Sequence, residues 1–98
     1  MSYAGPQVNQ QAEQLIQPES CRALWCAVIS EHWGLATAPR AGDRPHEIHA
    51  ARRWFGSRDF FAVCALAGVD GAWVLEGYRA WEAQYAAERD AARARVPA

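Results

Sequence analysis

The sequence predicts an all-α fold, a small four-helix bundle with a helix-turn-helix-like corner and a flexible N-terminal arm. Apolar residues recur at spacings of three and four, as they do along one face of a helix, and glycine or proline separates the periodic stretches. No stretch alternates apolar and polar residues as a half-buried strand does. Because 98 residues suffice for one domain, we predict a polar N-terminal arm over residues 1–17 and a single helical domain over residues 18–98.

The first helix is predicted to begin at Pro18, because proline suits the first turn of a helix. We expect it to end at Trp33-Gly34, with Gly34 as a left-handed cap. Residues 35–44 contain proline and glycine and are expected to form a surface loop. One apolar stripe of this helix is predicted to pack inward, and its members are Cys21, Leu24, Trp25, Val28, Ile29 and His32.

Two shorter helices are predicted to follow. The second is expected to run from Pro45 to about Phe55, with Gly56 closing it. The third is expected over residues 58–67, because Ser57 before it is a typical N-cap residue. The side chains expected to face inward are Ile48, Ala51, Arg52 and Phe55 in the second helix, and Phe60 or Phe61, Val63 and Cys64 in the third.

The chain around Gly68 has the spacing of a helix-turn-helix. A small residue lets two helices approach, a glycine four positions later makes the turn, and a β-branched residue six positions after that packs back. Cys64, Gly68 and Val74 occupy these positions. Asp70 is expected to cap a fourth helix that could run to about Arg93. The inward face of this helix is predicted to carry Val74, Tyr78, Trp81 and Tyr85.

Two interpretations of this corner stay open, a corner used for packing and a unit that reads DNA. A recognition helix contacts phosphates or base edges with arginine, lysine, asparagine, glutamine or serine. The fourth helix offers no cation before Arg79, and Glu76 would repel phosphates. The sequence therefore favours the packing corner.

About a quarter of the chain, residues 54–75, carries a pattern that can be compared with known families. Residues 54–60 read Trp-Phe-Gly-Ser-Arg-Asp-Phe, and residues 63–70 read Val-Cys-Ala-Leu-Ala-Gly-Val-Asp. The pattern is similar to that of small uncharacterised proteins carried by tailed phages and prophages of alphaproteobacteria. Members commonly continue with Asp-Pro, whereas this chain has Asp70-Gly71, which keeps the helix start. The resemblance implies a phage or prophage origin and no established activity.

All ten cationic side chains are arginines, which a GC-rich genome or selection for stacking guanidinium groups would each explain. Residues 40–60 hold five of them against three acidic residues, and form the one basic region of the chain. This region could contact a phosphate backbone or an acidic protein surface, or be a solvated face of mixed charge.

We expect Trp25 and Trp81 to be core residues. Trp73 is expected to be partly exposed. The candidate partner-binding residues are Arg44, Arg52, Arg53, Arg58 and Trp73.

No motif indicates catalysis or a cofactor, so we predict no catalytic residue, no cofactor and no bound metal. His46 and His49 lie three positions apart and could share a metal. A third ligand would be Glu47, Cys64 or His32, and paired surface histidines commonly bind no metal.

We expect a protein of the host-cell cytoplasm without a membrane partner. The first twenty residues lack the features of a secretory signal, and the longest apolar run, residues 23–29, is too short to span a bilayer. Three cysteines in apolar surroundings fit free thiols in a reducing compartment.

Two functions are expected from these observations. The first is a phage- or prophage-derived, non-enzymatic protein that binds a host protein complex, for example an anti-CRISPR-type inhibitor of a host defence complex. The second is a DNA-binding regulator or packaging protein that uses the corner at Gly68. The sequence leaves the oligomeric state open.

Overall fold

The computed structural model describes residues 18–96. These residues form four α-helices and no strand, so the all-α prediction is confirmed. The predicted N-terminal arm, residues 1–17, lies outside the described residues. In chain order the helices are α1 (Pro18–Thr37), α2 (Pro45–Trp54), α3 (Arg58–Ala67) and α4 (Gly71–Arg95).

Helix α1 packs on both short helices and extends further than the sequence predicted. It continues through Gly34 to Thr37, and the prediction of a left-handed cap at Gly34 is wrong. The extra turn is held by burial and by hydrogen bonds. Ala36 is completely buried, its carbonyl oxygen accepts a hydrogen bond from Arg52 Nε at 3.0 Å, and Thr37 Oγ1 donates to the Trp33 carbonyl at 2.7 Å. Contacts with α2 therefore keep this turn helical.

The turn between α2 and α3 has the form that its sequence predicted. Gly56 has a φ of 89°, a backbone conformation that side chains with a Cβ rarely adopt. Ser57 caps α3, because its Oγ accepts a hydrogen bond from the Phe60 backbone N–H at 3.1 Å and donates one to the Trp54 carbonyl at 2.6 Å. Local signals thus determine where α2 ends and α3 begins.

Stacked and edge-on aromatic rings fill the centre of the fold. Phe55 and Tyr78 stack with their ring centroids 4.3 Å apart, which joins α2 to α4. Phe60 is completely buried against Phe55, with ring centroids 5.5 Å apart, and Trp33 of α1 approaches Phe55 edge-on at 5.8 Å. The core therefore contains rings from α1, α3 and α4 and from Phe55, the residue that follows α2.

The inward side of α1 differs from the predicted stripe. Trp25 is only half-buried and Leu24 is 57% exposed, so the prediction of Trp25 as a core residue is wrong. Ile29, which belongs to the predicted stripe, packs against the core, and it is joined there by Trp33 and the buried Ala36, which the stripe did not include. Trp81 is half-buried and packs against the core.

The corner between α3 and α4 is built as the spacing predicted. Gly68 has a φ of 73° and its N–H bonds to the Ala65 carbonyl, while the Val69 N–H bonds to the Cys64 carbonyl at 3.0 Å. Asp70 then caps α4, since its Oδ1 accepts a hydrogen bond from the Ala72 N–H at 3.0 Å.

Gly68→Val is expected to lower the free energy of unfolding by about 1–3 kcal/mol, because a β-branched residue is strained at this left-handed position. Crowding contributes little, since a Cβ here would lie 3.7 Å from Arg22. Urea denaturation followed by circular dichroism measures the change. Gly34→Val is the control, because Gly34 is helical and has open space around it. Equal stability of the two variants would contradict a constrained turn at Gly68.

Candidate functional site

An open groove runs between α1 and α4. Its volume is about 660 Å³. Helix α4 contributes the small residues Gly77 and Ala80 to it, and a Cβ placed on Gly77 would lie 3.9 Å from Trp33 Cη2. The groove exists because these small residues leave space opposite α1. Its lining residues are Ile29, Ser30 and Trp33 on α1 and Trp73, Val74, Glu76, Gly77 and Ala80 on α4.

Trp73 stands at the edge of this groove with 72% of its surface exposed, so its predicted exposure is confirmed. It lies five positions before the buried Tyr78, which places the two side chains about 140° apart around the helix axis. Tyr78 fixes the inward face of α4, and Trp73 therefore has to face outward. A Trp side chain presents an unusually large apolar surface to water in this position.

The groove carries acidic charge. Among the described residues that line it, Glu76 is the only charged one, and its side chain is exposed. A neighbouring depression shares Ser30 with the groove and adds Glu31, Asp43 and Arg40. The Asp43 carboxylate accepts a hydrogen bond from the Arg40 backbone N–H at 2.7 Å. An apolar floor with a carboxylate at its edge suits an apolar partner surface that carries a cation.

The structure does not gather the candidate arginines and Trp73 into one cavity. Arg44, Arg53 and Arg58 are exposed, and none of them lines the groove. Arg52 differs from them because it is half-buried and makes contacts within the chain.

The contacts of Arg52 explain its position. Its Nε bonds to the Ala36 carbonyl, and its guanidinium carbon lies 5.5 Å from the centre of the Trp81 ring and 5.1 Å from that of Tyr85. The two rings stack on each other at 5.1 Å. Cation–π contact and a charge-assisted hydrogen bond therefore make Arg52 a link between α1, α2 and α4.

His32 has a packing role in the described structure. Its ring stacks on Trp54 with centroids 3.8 Å apart, and its Nδ1 lies 2.8 Å from the Val28 carbonyl oxygen. Trp54 in turn donates from Nε1 to Asp59 Oδ2 at 2.9 Å. These contacts join α1 to α2 and to the start of α3, and they engage one face of the His32 ring and its Nδ1 atom.

The other reactive groups lie apart from one another. His46 and His49 are exposed, and within residues 18–96 no three His, Cys, Asp or Glu side chains come together as a metal site requires. Burial raises the pKa of the Cys64 thiol above its ordinary value, and the nearby Asp70 raises it further. The thiol is therefore less nucleophilic than a free cysteine.

The buried hydroxyl group of Tyr78 makes no hydrogen bond of good geometry among the described residues, although the Glu82 carboxylate lies close enough to affect it. Tyr78→Phe is therefore expected to raise the free energy of unfolding, by about 1 kcal/mol, because it removes the cost of keeping a hydroxyl away from water. Thermal unfolding at neutral pH measures the effect. A loss of stability would show instead that the hydroxyl makes a favourable contact in solution.

The same pair of proteins tests a pH dependence. Burial raises the pKa of Tyr78, and the carboxylate of Glu82 adds to the effect. The unfolded chain then ionises first as the pH rises, so it holds fewer protons than the folded chain and stability falls above about pH 10. Below that pH the Tyr78 hydroxyl is protonated in both the folded and the unfolded chain, so its ionisation does not lower the stability. The stability of Tyr78→Phe is expected to fall less steeply in this range.

Sequence reasoning found Trp73 but missed the rest of the groove. The available signal is the spacing of Trp73, Gly77 and Ala80, which places a large and two small residues on one side of α4. No sequence pattern indicates that Ile29 and Ser30 line the groove, because their place in it depends on how α1 lies beside α4.

None of the family models, curated proteins and solved structures with which we compared the chain gave a significant match. Within residues 18–96, no helix is both long and apolar enough to cross a membrane.

Proposed function

We propose that this chain is a small, non-enzymatic protein of phage or prophage origin that acts by binding a host protein through the groove between α1 and α4. The observation that carries the proposal is the exposure of Trp73 at the edge of that groove. Exposed aromatic side chains beside apolar depressions are frequent centres of binding energy in protein interfaces. A partner that covers Trp73 and fills the groove removes this apolar surface from water.

The state of the reactive side chains also supports binding over catalysis. Cys64 is buried with a raised pKa, and His32 is engaged in a stack with Trp54. A nucleophile and a base need to lie within hydrogen-bond reach of each other, with room for a substrate. The groove itself offers aliphatic and aromatic surface and one carboxylate.

The phage origin rests on the resemblance over residues 54–75. We propose the host cytoplasm as the place of action and a host defence complex as the kind of partner, so an anti-CRISPR-type inhibitor is the form to test first. The groove is compatible with this role because an inhibitor needs affinity for its target and no chemistry of its own.

The test uses Trp73→Ala and, as a matched control, Leu66→Ala. Leu66 is 52% exposed but lies on α3, away from the groove lining. Proteins captured from host lysate by the wild-type chain are purified and titrated against all three proteins. We expect Trp73→Ala to weaken binding about tenfold or more, as truncation at an interface centre does. Leu66→Ala is expected to bind as the wild type does, and thermal unfolding confirms that both variants fold.

Equal binding of Trp73→Ala and wild type would place the interface elsewhere and reject the groove as the binding site. The inhibitor form is tested in host cells that carry an active CRISPR system, by the plaque count of a targeted phage. We expect the wild-type chain to restore plaques and Trp73→Ala to restore far fewer. Failure of the wild type would reject that form.

The alternative function, DNA binding, is favoured by the corner at Gly68 and by two exposed arginines on the helices that flank it, Arg58 at the start of α3 and Arg79 in α4. Trp73 and Glu76 on the first turns of α4 oppose it, since neither contacts phosphates well. Duplex binding that weakens steeply between low and moderate salt would support this alternative.

A further inference from the structure

We infer that the groove between α1 and α4 accepts an α-helix of the partner protein, with an apolar face in the groove and an arginine or lysine at its edge, beside Glu76. The inference rests on the proposed function, because it names the kind of surface that the host partner presents. Two separate properties of the described residues support the inference: the shape of the groove and the charge of its lining.

The shape of the groove suits a helix. A groove between two helices is where a third helix packs, and close approach requires small residues at the contact. Gly77 and Ala80 are one helical turn apart on α4 and supply such a contact. The volume of about 660 Å³ accommodates several large apolar side chains, and Trp73 and Trp33 provide aromatic surface beside them. An amphipathic helix in an apolar groove is also a common way of recognising peptides.

The charge of the groove determines which residues are favoured along the edge of that helix. Glu76 is the one charged residue among the described lining, and the depression that adjoins it adds two carboxylates, Glu31 and Asp43, against one cation, Arg40. A carboxylate at the rim favours a cation on the partner and disfavours an anion. The ligand helix is therefore basic along the edge that lies over α4.

A second copy of this chain fits the groove less well. A two-fold interface between identical chains places the same patch on both sides. Such an interface centred on Trp73 would bring the two Glu76 carboxylates close together, since Glu76 lies three positions away on the same helix. Like charges at a shared rim oppose association. A partner with the opposite charge meets no such repulsion.

The experiment selects binders from a displayed library of helical peptides that have a fixed apolar seam and randomised flanking positions. The full-length chain is the bait, and Glu76→Arg is a second bait. We expect the wild type to enrich arginine and lysine at one flank several-fold. Glu76→Arg is expected to enrich aspartate and glutamate there instead. A flank composition that is the same for both baits would overturn the inference.

Two glycine variants separate filling of the groove from damage to the fold. Gly77→Leu fills the groove: its Cβ would lie 3.9 Å from Trp33 Cη2, an ordinary contact distance, and thermal unfolding checks that the larger side chain leaves the variant folded. Gly34→Leu is the matched control, because Gly34 is helical, has open space around it and lies outside the groove lining. Recovery of the selected peptides is expected to fall at least tenfold with Gly77→Leu and to stay unchanged with Gly34→Leu. Equal recovery would place the peptides on another surface and overturn the inference.

Sedimentation of the free chain tests the second copy. A dimer that Trp73→Ala dissociates would show that another copy occupies the groove, and would overturn the inference.

The inference and the proposed function fail in different ways. A host protein that binds through Trp73 while the library yields no basic helix would reject the helix and leave the function standing. Basic helices without any captured host protein would leave the groove specificity standing and reject the function.

Discussion

Phe60→Ala is expected to lower the free energy of unfolding by about 3–5 kcal/mol, the largest effect of any substitution that we predict. Phe60 has no exposed surface, and its ring contacts those of Trp54 and Phe55 with centroids 5.3 and 5.5 Å apart. Truncation would remove the ring and leave a cavity among neighbours that are too large to move into it. A domain of this size has a total stability of roughly 5–15 kcal/mol, so this loss is a large fraction of the whole.

Phe61→Ala is the matched control because it makes the same chemical change one position along α3. Phe61 is 43% exposed, and its loss is expected to cost about 1–1.5 kcal/mol. Urea denaturation followed by circular dichroism gives both values on one scale. Equal losses would mean that both rings contribute to the core, and a larger loss for Phe61 would contradict the orientation of α3.

The bounds of α3 could be predicted from sequence because they depend on local chemistry. Ser57 caps the helix through its own hydroxyl group, and Gly68 ends it through a backbone conformation that other residues rarely adopt. The spacing of Cys64, Gly68 and Val74 also predicted the corner, since close packing at a turn restricts residue size. The choice between Phe60 and Phe61 stayed open, because both positions lie near one edge of the apolar stripe.

The end of α1 could not be predicted in the same way. Gly34 is a typical helix-ending residue, yet burial of Ala36 and the hydrogen bond from Arg52 extend the helix beyond it. Both contacts come from residues distant in sequence, so a local pattern does not contain them. The same reason applies to Trp25, which lies on an apolar side of α1 that the short helices leave half-covered.

The candidate site also has one feature that the sequence could predict and one that it could not. The exposure of Trp73 follows from the periodicity of α4 alone, and the sequence predicted it. The groove requires two helices to lie side by side, which no spacing within either helix specifies. The sequence also could not tell which of two adjacent arginines contacts the core. The sequence established that Arg52 and Arg53 point in different directions, and the structure shows that Arg52 is the one that contacts the core.

Arg52→Glu is expected to lower the free energy of unfolding by about 2–4 kcal/mol, whereas Arg53→Glu is expected to lower it by about 1 kcal/mol or less. The first substitution removes the hydrogen bond to the Ala36 carbonyl and the cation–π contacts with Trp81 and Tyr85. It also places a carboxylate beside a carbonyl oxygen. Arg53 is exposed in the last turn of α2, so its reversal meets solvent and the weak negative field of the helix end. Thermal and urea unfolding of the two single variants measure the difference.

This difference decides how the arginines can be tested as binding residues. A double reversal of Arg52 and Arg53 would lose binding through unfolding alone, so a binding assay has to use Arg53→Glu by itself. Loss of binding in that variant, with its unfolding unchanged, would place Arg53 in an interface separate from the groove, because Arg53 does not line it. Retained binding would leave Trp73 and the groove as the contact surface. An Arg52→Glu variant as stable as the wild type would contradict the structural role of Arg52 and would return it to the candidate binding residues.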